Sequence, residues 1–171
     1  MEPFFNRPIE KEIRYLFIDA TYFKIRKQGR YVNHAVFIAI GVDTNGYRTI
    51  IGTKIAENES ESFWIDFFNE LKDRGLRGVK LVISDGHRGI INAVERSFTG
   101  SSWQMCHTHF IRMIIRKTPK KKWEWVINKV KEFLDKPYES KDEIKLQESI
   151  EKLIEELEKA GFNISKAGTT D

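Results

Sequence analysis

The length and composition of the chain favour one folded domain with room for a helical appendage. Of its 171 residues, 40% are hydrophobic, which is enough apolar surface for a core and argues against wholesale disorder. The single cysteine, Cys106, excludes an intrachain disulfide and a four-cysteine zinc site, and the net charge of +4 permits a polyanionic partner without requiring one. No apolar run approaches the roughly 20 residues that span a bilayer, so we expect a cytoplasmic protein without membrane contact.

Three consecutive strands are predicted near the amino terminus. Residues 13–18 form a short apolar run rich in strand formers, and the run ends at Asp19. Residues 31–42 read as a second strand, and an Asn-Gly pair then predicts a tight turn into a third strand over residues 47–55. Short connections of this kind join antiparallel neighbours.

From residue 58 to residue 74 the apolar residues recur at helical spacing. Asn58 with Glu61 resembles a capping box, and Gly75 can close the helix. The face predicted to be buried consists of Phe63, Phe67, Phe68 and Leu71. Residues 79–84 then form another apolar run that ends at an acidic residue, Asp85.

The second half of the chain is predicted to be mainly helical. Residues 89–98 form a helix, residues 103–106 a short strand, and residues 107–122 a helix that runs into a basic stretch. An aromatic helix follows near residues 123–134. A last, charged helix opens at Ser140, and its apolar stripe consists of Leu146, Ile150, Leu153 and Leu157.

This element order predicts an α/β fold with a ribonuclease-H-like mixed sheet. Such a sheet has three antiparallel strands followed by alternating helices and strands, and here a C-terminal helical extension is added. We assign residues 1–122 to the core domain and residues 123–171 to the extension with a loose tail.

The two aspartates that follow predicted strands, Asp19 and Asp85, are candidate metal ligands. In the predicted sheet their strands are neighbours, so the carboxylates can converge. Phosphoryl transfer at a DNA backbone uses two hard cations about 4 Å apart, and such cations prefer oxygen ligands. The alternative is that each aspartate only caps the turn or helix that follows it.

A basic stretch that precedes two tryptophans, Trp123 and Trp125, offers contacts for phosphates beside aromatic surfaces. The alternative is a solvated helix end whose aromatic face lies in a core. The candidate DNA-binding residues are Arg112, Arg116, Lys117, Lys120, Lys121 and Lys122.

Several local sequences occur in a fixed order between residues 14 and 122. They are Tyr-Leu-Phe-Ile-Asp19-Ala-Thr-Tyr-Phe-Lys, Ala-Ile-Gly-Val, Glu-Ser-Glu-Ser-Phe-Trp, Leu-Val-Ile-Ser-Asp85-Gly-His-Arg-Gly-Ile and Ser-Trp-Gln-Met-Cys106-His-Thr-His109-Phe. Together they resemble the Mutator-like transposases of bacterial and archaeal insertion sequences.

The resemblance implies that Asp19 and Asp85 are the first two acidic residues of an Asp-Asp-Glu triad that binds Mg²⁺ or Mn²⁺. In an intact relative, metal-activated water would cleave a transposon end, and the freed 3′-hydroxyl would attack target DNA, so the implied partner is double-stranded DNA. Cys106 and His109 match the family's Cys-x-x-His pair. Because a structural zinc site takes four ligands, we favour a local structural or DNA-positioning role for this pair over a zinc site. The alternative is a small buried cysteine beside ordinary helix-start histidines.

The third residue of the triad, a glutamate, lies in this family after a helical insertion. No glutamate of the last predicted helix stands in a motif that matches this position, and the sequence is expected to stop inside the insertion. We therefore expect a truncated catalytic domain that is weakly active or inactive by itself.

Three other functions remain open. A ribonuclease-H-like nuclease would use similar carboxylates on an RNA–DNA hybrid. An inactive transposase remnant would bind DNA or pair with a full-length transposase. An interaction module would form a homodimer through the last helix, although packing of that helix on its own domain is the preferred interpretation.

Overall fold

A computed structural model of the protein describes residues 6–27, 29–57, 60–116, 118–135 and 143–161, with the side chains of all of these except residues 27 and 143–147. The strands are β1 (Ile13–Lys27), β2 (Arg30–Asp43), β3 (Arg48–Ala56), β4 (Leu81–Ser84) and β5 (Ser102–Met105). The helices are α1 (Glu61–Asp73), α2 (Arg88–Ser97), α3 (His107–Arg116), α4 (Trp123–Leu134) and α5 (Glu143–Lys159), with a short 3-10 helix (Lys120–Lys122) before α4. The chain divides into two units, Met1–Cys106 and His107–Asp171.

The first unit is built on a five-stranded mixed sheet with the order β3-β2-β1-β4-β5. β1 with β2 and β2 with β3 are antiparallel, whereas β1 with β4 and β4 with β5 are parallel. α1 and α2 connect the parallel strands, as parallel pairing requires a crossover. The ribonuclease-H-like fold predicted from the sequence, with a helical extension after it, is confirmed.

The core of the first unit lies between one face of the sheet and the helices α1 and α2. Residues alternate between the two faces of a strand, so Leu16 and Ile18 of β1 are buried on the helix side. In β2, Phe37 meets the Trp64 ring edge-on, with their centroids 4.9 Å apart. The helix residues buried here are Trp64, Phe67, Phe68, Leu71, Ile90, Ala93 and Val94. Burial of each large side chain contributes about 1.5–3 kcal/mol, which makes α1 the main support of the sheet.

The start of α1 differs from its prediction. The helix begins at Glu61, and the Ser60 hydroxyl accepts a hydrogen bond from the Phe63 N–H at 3.2 Å. Ser60 is therefore the N-cap, and the cap predicted at Asn58, which lies outside the described residues, is wrong. Both residue types cap helices well, so the choice between them depends on where the chain leaves β3.

β1 is much longer than the sequence pattern predicted. The prediction ended the strand before Asp19, but β1 continues to Lys27 and pairs with β2 as far as Lys27 opposite Arg30. The prediction was wrong because it followed the buried apolar run, whereas the later half of β1 is held by cross-strand hydrogen bonds and has exposed side chains.

The second unit contains α3, α4 and α5 around a small core. Its buried residues are Ile114, Val126, Val130 and Leu157. Lys129 of α4 and Glu156 of α5 form an ion pair at 3.0 Å. Leu153 and Leu157 thus pack within their own unit, as preferred in the sequence analysis, while the Leu146 side chain lies outside the described part.

The helix predicted to reach residue 122 ends earlier, at Arg116. The Thr118 hydroxyl donates to the Ile114 carbonyl at 2.9 Å, and Pro119 then prevents a regular continuation of the helix. The assignment of residues 1–122 to the core domain and of residues 123–171 to the extension stays a prediction. None of the helices in the described ranges has both the length and the apolar character needed to cross a membrane.

An acidic residue at the end of β2 anchors the turn into β3. The Asp43 side chain is 4% exposed, and its Oδ1 accepts from the N–H groups of Asn45 and Tyr47, each at 2.9 Å. Its Oδ2 accepts from the Lys11 ammonium at 2.8 Å. The bond from Lys11 is the main reason why the pKa of Asp43 lies below its ordinary value of 3.8; burial opposes this shift, and the two backbone bonds add to it.

We predict that Asp43→Asn destabilises the first unit near neutral pH and flattens its acid dependence. A carboxyl whose pKa is lower in the folded state stabilises the fold above its unfolded-state pKa, and this stabilisation disappears as the pH falls through the folded-state value. Urea unfolding across the range from neutral to about pH 3 should show it. Asp66→Asn, at an exposed position of α1, serves as the control and should keep the native acid dependence. If the free energy of unfolding falls with pH by the same amount in the native protein and in Asp43→Asn, the prediction is contradicted.

Candidate metal centre

Asp19 lies in the middle of β1, at the point where pairing with β4 has ended. It pairs with Ile38 of β2, and the last registered pair between β1 and β4 is Phe17 with Ile83. The Asp19 side chain is exposed, and its Oδ1 accepts from the Ala20 N–H at 2.9 Å. The position thus combines a rigid two-stranded support on one side with open access on the other.

Asp85 follows β4 directly and stands two residues past Ile83, as Asp19 stands two past Phe17. Its side chain is half-buried, and its Oδ1 accepts from the His87 N–H at 3.2 Å. His87 in turn is the N-cap of α2, because its Nδ1 accepts from the Gly89 N–H at 3.3 Å. The capping interpretation of Asp85 therefore accounts for its Oδ1 and not for its Oδ2.

A buried serine braces the backbone at Asp85. Ser84 is 1% exposed, and its hydroxyl donates to the Asp85 carbonyl at 2.8 Å while accepting from the Trp103 Nε1–H at 2.9 Å. The Ser84 carbonyl also accepts from the Cys106 N–H at 2.6 Å. Sequence reasoning missed this brace, because nothing in a lone serine between an apolar run and an aspartate marks it as buried.

The parallel register places the two carboxylates at the same level of neighbouring strands. Paired adjacent strands lie about 4.8 Å apart, and each aspartate lies two residues beyond the last paired residue of its strand. Within the described residues, the Oδ2 atoms of Asp19 and Asp85 have no hydrogen-bond partner. Two such oxygens suit a hard divalent cation such as Mg²⁺ or Mn²⁺. No group of three His, Cys, Asp or Glu side chains with metal-binding geometry occurs in the part of the chain that the structure describes.

The residues of the Cys-x-x-His motif belong to different units. Cys106 is half-buried at the end of the first unit and has a free thiol. His109 lies in α3 of the second unit, where its buried Nδ1 has no hydrogen-bond partner among the described atoms. Their assigned role stays a prediction.

The predicted DNA-binding residues lie in the second unit and differ in their surroundings. Arg112 and Arg116 are exposed and one helical turn apart on α3, so they share a face. Lys120 and Lys121 are also exposed, whereas Lys122 is half-buried and donates to the Ala160 carbonyl at the end of α5. Lys117 lies outside the described residues. Lys122 is thus already engaged within its unit, and the aromatic neighbours Trp123 and Trp125 are 37% and 40% exposed.

Comparison with known proteins identifies relatives along nearly the whole chain. The family described as "Transposase, Mutator family" matches residues 1–169. The transposase of insertion sequence element IS256 in transposon Tn4001 of Staphylococcus aureus is 47% identical over 112 residues, which are 66% of this chain and 29% of that protein. The transposase of insertion sequence element IS1081 of Mycobacterium tuberculosis is 37% identical over 138 residues, which are 80% of this chain and 33% of that protein. The chain thus spans about a third of the length of these relatives.

Among solved structures, the HTLV-2 integrase catalytic core domain in complex with magnesium is similar with a TM-score of 0.38 and 11% sequence identity. The similarity covers 86% of this chain and 85% of that one.

We predict that Ser84→Ala lowers the free energy of unfolding by about 1–3 kcal/mol, because it leaves the Trp103 Nε1–H without an acceptor. The matched control is Ser102→Ala, at an exposed position of β5, which should change stability by less than about 0.5 kcal/mol. Urea unfolding of both variants tests this. Equal stabilities for the two would mean that the brace contributes nothing measurable.

Proposed function

The chain belongs to the Mutator family of transposases, and from that premise we propose that it contains the front part of a domain that cuts and joins DNA strands, with Asp19 and Asp85 as metal ligands. The observation that carries the proposal is the register of β1 and β4, which gives the two aspartates the same offset from the last paired residues. The motifs around both aspartates belong to the local sequences that resemble those of Mutator-like transposases.

The donor set fits a hard cation. Asp19 and Asp85 would hold Mg²⁺ or Mn²⁺, and the ions, when bound, would supply activation of the attacking oxygen and stabilisation of the leaving oxygen. The chain's own contribution is placement. β2 holds the backbone of Asp19 within β1, and the Ser84 hydroxyl holds the carbonyl of Asp85 at the start of the connection from β4 to α2.

Duplex DNA at transposon ends and target sites is the proposed substrate. Arg112, Arg116, Lys120 and Lys121 are exposed cations that would contact phosphates, and Trp123 and Trp125 lie close to them in sequence. Cys106 and His109 are proposed to position this segment rather than to bind zinc, because two ligands do not complete a zinc site.

We propose further that this sequence lacks the third carboxylate of the triad, and that it is weakly active or inactive by itself. The observation that supports this is that no glutamate of the last helix stands in a motif that matches the family's third position. It equally favours a second candidate function, a remnant that acts by binding DNA or by pairing with a full-length transposase. In-line displacement needs the ions held within a fraction of an ångström, which two carboxylates alone cannot ensure.

We predict that Asp19→Asn and Asp85→Asn each weaken Mn²⁺ binding by about tenfold or more, measured by titration calorimetry. The asparagine carbonyl can still accept from Ala20 N–H or His87 N–H, so each variant keeps the local hydrogen bond and loses only the charge. Thermal unfolding without metal should therefore change little.

The control for this experiment is Asp66→Asn, which removes an exposed carboxylate from α1 and should bind Mn²⁺ like the native chain. If both site variants bind Mn²⁺ as the native chain does, the aspartates act only as caps and the metal-site proposal fails. If the native chain binds no Mn²⁺ but binds DNA in a chelating buffer, the remnant is the better account.

A further inference from the structure

The far part of the β1–β2 hairpin leaves the sheet and continues as a two-stranded ribbon. Pairing of β1 with β4 ends at Phe17, and pairing of β2 with β3 ends at Ala35. β1 and β2 nevertheless stay paired from Tyr22 opposite Ala35 to Lys27 opposite Arg30. We call residues 22–27 and 30–35 the distal ribbon. It starts three residues after Asp19, beyond the end of the sheet at which the carboxylates lie.

The two faces of the distal ribbon differ in character. Directly paired residues of an antiparallel ladder point to the same side, so Lys24 with Asn33 and Arg26 with Tyr31 share a face, together with Tyr22. All five side chains are exposed, with Tyr22 at 62% and Tyr31 at 70%. We call this the basic face.

The opposite face is more apolar and supports the ribbon. Phe23 stacks on the ring of His34 at a centroid distance of 6.1 Å, and His34 is 8% exposed with its Nε2 3.2 Å from a Glu57 oxygen. Val32 is half-buried beside them, whereas Ile25 and Arg30 on the same face are exposed. Since the apolar side chains already have a face of their own, the exposed tyrosines of the basic face are not needed for packing.

The charge of the distal ribbon is of one sign. No acidic residue occurs in residues 20–42, whereas residues 24–30 contain four cations, Lys24, Arg26, Lys27 and Arg30, of which Lys24 and Arg26 lie on the basic face. The basic face offers an ammonium, a guanidinium, an amide and two phenol hydroxyls, all of which can donate to phosphate oxygens. A two-stranded ribbon also has the width that the major groove of B-DNA admits.

We infer that the basic face of the distal ribbon binds the phosphate backbone of duplex DNA, beyond the end of the sheet where the carboxylate pair lies and on the face of β1 opposite to Asp19. The identification of the polyanion as DNA rests on the proposed function, while the surface itself follows from exposure, pairing and charge. Because β1 runs without interruption from Asp19 into the ribbon, DNA bound there would be held at a fixed distance from the carboxylates.

The test measures the affinity of the full chain for a short mixed-sequence duplex by fluorescence anisotropy, in a chelating buffer and over a series of salt concentrations. The double variant Lys24→Gln/Arg26→Gln should bind about tenfold more weakly at low salt. Its dependence of log affinity on log salt should be shallower by about 1.8, because two phosphate contacts are lost.

The matched control is Arg14→Gln/Lys80→Gln, which removes the same charge from two exposed residues at the opposite end of the sheet, Arg14 in β1 and Lys80 just before β4. Its affinity and salt slope should stay near those of the native chain if the effect belongs to the ribbon and not to net charge. Thermal unfolding of both double variants should match that of the native chain, since all four positions are exposed.

Equal affinities for the two double variants would overturn the inference, and so would a loss seen only with single-stranded oligonucleotides. The result is independent of the metal site, because the chelator removes divalent ions. If the chain binds no Mn²⁺ but its DNA binding depends on the ribbon, only the metal-site proposal is rejected. If it binds Mn²⁺ through the aspartates but its DNA binding does not depend on the ribbon, only the inference about the ribbon is rejected.

Discussion

The parallel pairing of β1 with β4 is the constraint on which the candidate site depends. Only three residue pairs, from Tyr15 with Leu81 to Phe17 with Ile83, fix the relative height of the two strands. A slip of one residue would turn every side chain of β1 to the other face of the sheet, burying Phe17 and Asp19 in place of Leu16 and Ile18. The core under α1 therefore enforces the register, and the register sets the height of the carboxylates. The packing of α1 on the sheet thus decides the geometry of the site.

This arrangement has an electrostatic cost when no cation is present. Two carboxylates that follow the paired parts of neighbouring strands repel each other, and their hydrogen bonds from Ala20 and His87 come from neutral backbone groups. Exposure of Asp19 keeps the cost small because water screens the charge, and it also leaves room for a phosphodiester. A site meant only for stability would pair each aspartate with a cation, as Lys11 does for Asp43. The contrast between these aspartates favours a ligand role for Asp19 and Asp85.

Much of the fold could be predicted from sequence because the deciding residues are apolar and periodic. The face of α1, the order of the strands and the positions of both aspartates all depend on burial, which leaves a pattern of period 2 or 3.6. The features that were missed depend on particular hydrogen bonds and not on the burial of apolar side chains. The later half of β1 has exposed side chains on its basic face, Ser60 rather than Asn58 caps α1, and Ser84 is buried by contact with Trp103. None of these leaves a signal in the hydrophobic pattern.

The carboxylate pair and the distal ribbon would each strengthen binding at the other. Magnesium is commonly held by one or two carboxylates and completed by substrate phosphates and water, so a two-aspartate site is expected to bind metal weakly until DNA is present. Any surface that holds the DNA backbone near Asp19 then raises the affinity for metal, and by linkage bound metal raises the affinity for DNA to the same degree. Continuous β1 backbone joins the two surfaces without an intervening loop, so little conformational entropy is lost when both are occupied. Under the proposed function, the long strand β1 is therefore part of the site, because it connects the surface that contacts DNA with the carboxylates that bind metal.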